Sequence, residues 1–302
     1  MQIVRFQSGA GEVGLGLAED GRRTGGLGPG LASLADLLRL SAREFRAALE
    51  AATATGSSAV PLGQVLAPID RQTEVWAAGV TYKRSEEARV EESATPDIYT
   101  RVYRAERPEL FFKATARRVS GPDQPIAVRS DSTWDVPQPE LAIVVNAQAE
   151  IVGYTIGNDV SSRSIEGDNP LYLPQAKVYA GSCALGPGIT PAWEVADPYA
   201  LDIRMQILRG GAVHWRGETS MREFARRLDD LVGYLFREDT FPDGVILCTG
   251  TALVPDSPFT LQAEDTVEIE IDGLGALRNP VVRGKAGLTQ APAGSVGGAE
   301  GA

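Results

Sequence analysis

The sequence predicts an α+β fold dominated by mixed β-sheet, with a small α+β lobe at its N-terminal side. Three observations carry that expectation. Two apolar runs, Leu141–Val145 and Ile151–Ile156, flank the polar break Asn146–Glu150, the pattern of two strands joined by a hairpin turn. The pattern recurs at Leu201–Leu208 and Val213–Trp215 across Arg209–Ala212, and at Val267–Ile271 and Ala276–Val282 across Asp272–Gly275. Helical spacing of apolar residues occurs at Ser33–Ala52 and again at Ser220–Phe236.

Taken in order, residues 2–18 alternate loosely and read as a strand pair. The glycine-rich stretch Gly25–Gly30 precedes no strand–helix unit, so a phosphate cradle is not expected there. Leu34, Leu37, Leu38, Phe45, Ala48 and Leu49 form the apolar face of the first helix, and Val60–Pro68 completes the lobe. A boundary near Ile69–Thr73 divides residues 1–70 from a catalytic unit at 71–285. Glu74–Val80 is a strand. Lys83–Ser93 is charged and helical in propensity, which suits a solvated surface helix, and the acidic run Glu91–Asp97 suits a lid. Glu109 precedes the pair Phe111–Phe112. A carboxyl held against aromatic surface keeps its proton near neutral pH and can act as an acid, whereas an exposed loop Glu cannot. Lys113 suits backbone support or a carboxylate partner. Ser220 and Glu223 fit a capping box for the second helix. Gly244–Thr249 enters the loop Gly250–Pro255, and the Gly- and Ala-rich tail, residues 286–302, is expected to be disordered.

Composition narrows the function. With 43% hydrophobic and 23% charged residues among 302, the chain is an ordinary globular protein. Its net charge of −11 repels nucleic acid and anionic membranes, so neither is expected as a partner. An anionic substrate would then need a metal or local Lys and Arg. Cys183 and Cys248 have no CxxC spacing, which points to the reducing cytoplasm. The N-terminus shows no apolar signal core. The single histidine, His214 in GGAVHWRGE, lies in an expected hairpin away from the central block and argues against a His-dependent triad or a His-ligated zinc.

The candidate site lies in the central hairpin. Gln138 and Glu140 face one side of a strand, because side chains alternate. With a turn centred near Gln148, facing residues sum to about 296 by the antiparallel pairing rule, which sets Asp159 beside Gln138. Three oxygen donors without His or Cys suit a hard cation: Mg²⁺, with Mn²⁺ or Ca²⁺ as alternatives. The same spacing also suits a solvated strand face. Lys177, in a loop bounded by Pro and Gly, is a candidate charge partner or base.

The blocks GVTYKRSEEA from Gly79, RPELFFKAT from Arg107, PELAIVV…GYTIGNDVSSRSIEG…PLYLPQAKVY, and IDGLGALRNPVV from Ile271 occur in order over most of the chain. Together they resemble the fumarylacetoacetate hydrolase superfamily, within it the 2-keto-3-deoxy-D-arabinonate dehydratase branch and its pentonate relatives. The resemblance implies a β-rich roll or distorted β-barrel and a homodimer. It implies a lyase that dehydrates a 2-keto-3-deoxy sugar acid to 2,5-dioxopentanoate through a metal-stabilised enolate. Lys177 would then handle the C3 proton or the enolate charge, and Glu109 would protonate the leaving hydroxyl. Arg163, in the NDVSxR pattern, and Thr251, in the GTAL turn, would contact the substrate. Two departures stand out. Ser85 occupies the place of the lid His that hydrolases of the superfamily carry, and Gln138 stands where the family pattern has Glu. The first disfavours the alternative of a hydrolase or decarboxylase of acylpyruvates. The second lowers the charge of the metal site and leaves room for an impaired, acid-binding relative.

Overall fold

The computed structural model describes residues 1–19, 22–28, 30–54, 60–61, 63–92 and 96–290. Its centre is the expected hairpin. Strand Pro139–Val145 pairs antiparallel with Ile151–Asp159, matching Glu140 with Gly157 and Pro139 with Asn158. That is one residue beyond the expected register. A bulge between Val144 and Val145 absorbs the offset, so that Val145 pairs with Ile151. The pairing continues past the strand end, where Asp159 donates its backbone N–H to the Gln138 carbonyl at 3.0 Å.

These strands are the middle of a twelve-stranded mixed sheet. On one side follow Val245–Cys248, the parallel strand Glu74–Gly79, and Glu109–Thr115 at the edge. On the other side Cys183–Pro191 pairs with Ile151–Asp159 and, through Ile3 opposite Ile189, with the N-terminal strands. Sheet and lobe are therefore hydrogen-bonded into one body. The central strand reads as an unbroken apolar run because both of its faces are buried. Ala142 and Val144 face Leu34, Leu37, Leu38, Phe45 and Leu49 of the lobe. Leu141, Ile143 and Val145 face a second, five-stranded sheet and the helix Leu228–Leu235. Each such large side chain contributes roughly 1.5–3 kcal/mol on burial. Among the described residues neither sheet closes on itself, so the architecture is an α+β roll.

Two helices differ from expectation. Ser33–Ala52 is split into Leu34–Leu38 and Ala42–Ala54. Ser33 and Asp36 form one capping box. Ser41 and Glu44 form another, with Ser41 N–H donating to Glu44 Oε2 at 3.0 Å, and that second start breaks the run. Ser220 accepts from Arg222 N–H, but only one 3₁₀ turn, Met221–Glu223, follows. Phe224 and Ala225 are then held by bridges to Tyr82 and Thr81, and the helix starts at Leu228. Long-range backbone pairing outweighs the local cap there. The hairpin at Arg209–Ala212 forms as expected, its Gly210–Gly211 turn taking positive φ at both positions.

The acidic run Glu91–Asp97 lies in part outside the described residues: a helix ends at Glu92 and the next begins at Pro96. Of the expected tail, residues up to Gln290 belong to the helix Gly284–Gln290, and 291–302 lie outside the described residues. Among the described residues no helix is long and apolar enough to cross a membrane.

Candidate active site

The sheet face that carries Gln138, Glu140 and Asp159 is covered by the lobe at one end and opens into a narrow cleft at the other. Lining it are Gln138, Glu140, Asp159, Arg163, Lys177 and Thr251, six of the seven side chains singled out from sequence. Lys177 ends a short helix, Leu173–Lys177, which turns its ammonium back onto the sheet. Nζ donates to Gln138 Oε1 at 2.6 Å, to Asp159 Oδ2 at 2.7 Å and to Ser161 Oγ at 2.6 Å. The ammonium also lies 5.7 Å above the Phe111 ring.

Glu109 is the residue not brought into the lining. It starts the edge strand opposite Gly79, where its carboxyl packs so closely that a Cβ on Gly79 would sit 2.0 Å from Oε2. Even so, Glu109, Phe111 and Lys113 alternate on one face of that strand. Phe111 underlies Lys177, so Glu109 stands about 7 Å further along the same face by strand geometry.

Burial sets the electrostatics. The Glu140 carboxyl is pushed up to about 8 by desolvation and by the neighbouring Asp159. Against this, Lys177 and the Gly250 N–H, which donates to Oε2 at 2.6 Å, favour the charged form. Asp159 would be raised by its own burial, yet Lys113 and Lys177 together hold it below the usual carboxylate range. Cys183 is raised to about 12 by burial, and both thiols are free and buried, so neither is a nucleophile.

Does this donor set suit a metal? Gln138 Oε1 and Asp159 Oδ2 converge on one cation, the Lys177 ammonium, so the two oxygens already point at a common position. Glu140 lines the same cleft with a carboxyl whose charged form needs a compensating cation. Among the described residues no group of three His, Cys, Asp or Glu side chains forms a metal cluster. Two carboxylates plus the Gln138 amide therefore make up the candidate set, a fit to a hard divalent ion with reduced charge.

The other assignments divide. Arg163 is buried, pairs with Glu166 at 3.2 Å and lies over Trp134. The Thr251 hydroxyl accepts from Leu253 N–H at 3.0 Å, so it shapes its own loop. Ser85 receives the Tyr82 N–H and donates to the Tyr82 carbonyl at 2.7 Å, which commits it to the helix start. His214 is exposed beside Arg209 and Phe259, outside the cleft lining. Sequence reasoning missed Ser161, although it lies two residues beyond Asp159 in a strand-like run. It also missed Arg84 and Asp256, which pair at 3.2 Å among the residues lining the cleft.

Known proteins resemble this chain in sequence and fold. The chain is 49% identical over 251 residues to a probable 2-keto-3-deoxyxylonate dehydratase of Haloferax volcanii, covering 83% of this chain and 86% of that one. It is 46% identical over 222 residues to a 2-dehydro-3-deoxy-D-arabinonate dehydratase of Saccharolobus solfataricus, covering 72% and 74%. A solved structure of 2-keto-3-deoxy-D-arabinonate dehydratase complexed with magnesium and 2,5-dioxopentanoate superposes with a TM-score of 0.79 at 36% identity, covering 94% of this chain and 99% of that one. Residues 74–282 match the family model described as fumarylacetoacetate (FAA) hydrolase C-terminal. That match spans more than half of the sequence, and the chain belongs to the fumarylacetoacetate hydrolase family.

Proposed function

We propose that this chain is a magnesium-dependent hydro-lyase that converts a 2-keto-3-deoxy pentonate into 2,5-dioxopentanoate. The observation that carries the reading is the convergence of Lys177, Gln138 and Asp159 on one point, beside Glu140, in a single cleft. The likeness to the Haloferax and Saccharolobus dehydratases supports the substrate class. Gln138, Glu140 and Asp159 would hold Mg²⁺, which when bound supplies a Lewis acid for the keto and carboxylate oxygens of the substrate.

The remaining work falls to side chains. Lys177 handles the proton at C3 and the negative charge its loss leaves on the 2-oxo group. That charge expels the C4 hydroxyl, and Glu109 supplies the proton with which it leaves as water. Tautomerisation through the C5 enol then gives the aldehyde. Arg163 and the Thr251 loop line the walls and position the substrate. Ser85, bound to Tyr82, offers no imidazole for activating water, which disfavours a hydrolase of acylpyruvates on this fold.

We further assign the chain to the cytoplasm, on its two buried free thiols, and to a homodimer, with 1–70 as a lobe and 71–285 as the catalytic unit. Turnover of 2-keto-3-deoxy-pentonates with and without Mg²⁺ tests the activity. Magnesium-dependent appearance of 2,5-dioxopentanoate is expected; its absence with metal bound would sink the reading.

A further inference from the structure

Only four of the 29 basic residues are lysines, Lys83, Lys113, Lys177 and Lys285. Two of them meet at Asp159. Lys113 comes from the edge strand Glu109–Thr115 and is wholly buried, at 0% side-chain exposure. Its ammonium pairs with Asp159 Oδ1, while Lys177 takes Oδ2. It also donates to the Val160 carbonyl at 3.1 Å and to the Lys177 carbonyl at 2.5 Å. Two carbonyls thus accept hydrogen bonds from this ammonium, and one carboxylate oxygen forms an ion pair with it.

A buried ammonium is held charged only where such partners exist. The partners here are specific: the carboxylate facing Lys177, the residue after that carboxylate, and the main chain of Lys177 itself. The Lys177 carbonyl also lies at the end of a helix of five residues, whose one closing bond runs from the Val178 N–H to the Pro174 carbonyl at 2.8 Å. An arginine fork, planar and larger, does not present its donors to three oxygens converging on one point.

We propose that Lys113 is a positioning residue for Lys177: one ammonium fixes both the carboxylate opposed to Lys177 and the backbone that carries it. The inference deepens the dehydratase reading and rests on it for the identity of the reaction. Side-chain labelling with ¹⁵N-lysine tests it without substrate or metal. Four ammonium groups are available, and Lys83 and Lys285 are exposed, so the native chain should show two exchange-protected signals, from Lys113 and Lys177.

In Lys113→Met the Lys177 signal should be lost to exchange. With 2-keto-3-deoxy-pentonate as substrate, kcat should fall on the order of a hundredfold with KM changed less than threefold. Lys113→Arg, which restores charge with imperfect geometry, should recover part of kcat. Thermal midpoints of all variants separate this from unfolding. Should Lys113→Met fail to fold, Lys113→Gln, which keeps two N–H donors, is read by the same signal. An unchanged Lys177 signal, or native kcat per folded molecule in Lys113→Met or Lys113→Gln, would overturn the proposal. A native chain that yields no product would overturn the dehydratase reading instead, and the ammonium signals would still decide the role of Lys113.

Discussion

The backbone N–H of Gly250 meets Oε2 of Glu140 at 2.6 Å, joining positions 110 residues apart in the chain. It is a short bond to a buried carboxyl, and it ties the loop 250–256 to the strand that bears the site. Gly250 adopts φ +90°, and a Cβ there would lie 2.2 Å from Thr81 Oγ1 and 2.8 Å from the Ala78 carbonyl. Gly250→Ala should therefore cost about 2 kcal/mol or more, from left-handed backbone strain and the clash together. Urea denaturation of the two proteins measures it, and a difference below half a kcal/mol would refute the assignment of strain.

Lys177 donates to three side chains, but Asp159 retains Lys113 when Lys177 is removed. Lys177→Met is thus expected to fold and to lose about 10²–10⁴-fold in kcat, the range for a group engaged in proton transfer. Circular dichroism and product formation, measured on the same preparation, check both halves.

The raised Glu140 carboxyl gives a pH dependence with a definite sign. Between its ordinary 4.5 and its folded value of about 8, the native state holds a proton that the unfolded chain has released. Stability of the metal-free protein should fall as pH rises through that window, by up to about 1.4 kcal/mol per pH unit from this group. Asp159, held low, acts oppositely and only near and below its ordinary 3.8. Denaturation midpoints in EDTA across this range should slope downward for the native chain and flatten in Glu140→Gln. Parallel slopes would show that Glu140 is not the group.

Gln138→Glu adds a carboxyl beside Asp159, on which both buried ammonium groups already converge, and close to Glu140 in the same cleft. Magnesium affinity should rise roughly tenfold, since ligand charge tunes affinity for a hard cation. Without metal the variant should be less stable by about 1–3 kcal/mol, from the desolvation of one more buried carboxyl beside Glu140 and Asp159. Calorimetric titration with Mg²⁺ and denaturation in EDTA read the two effects separately.

The sequence made the site legible where chemistry and period-2 geometry coincide. Gln138, Glu140 and Asp159 follow from strand alternation and one hairpin, and the bulge at Val144 shifts the register without separating them. Lys177 was visible from its loop bounded by Pro and Gly and from the motif PLYLPQAKVY in which it stands. Ser161, Arg84 and Asp256 were not, since their roles depend on how a strand end, a helix start and a distant loop meet. The break at Ser41 was written in its spacing to Glu44, whereas the failed helix after Ser220 was not: bridges from Thr81 and Tyr82, more than a hundred residues away, decide it.

The strand Cys183–Pro191 has a further consequence. One end pairs Cys183 with Asp159, and the other pairs Ile189 with Ile3. The cleft and the first strand of the chain are thus two ends of a single rung-bearing rail. Catalysis on this fold is not a detachable module: a fragment beginning at residue 71 would leave an apolar edge bare and strip the greasy cover from Ala142 and Val144. Any truncation aimed at trimming the enzyme to its reactive half would deliver a sticky sheet in place of a smaller catalyst.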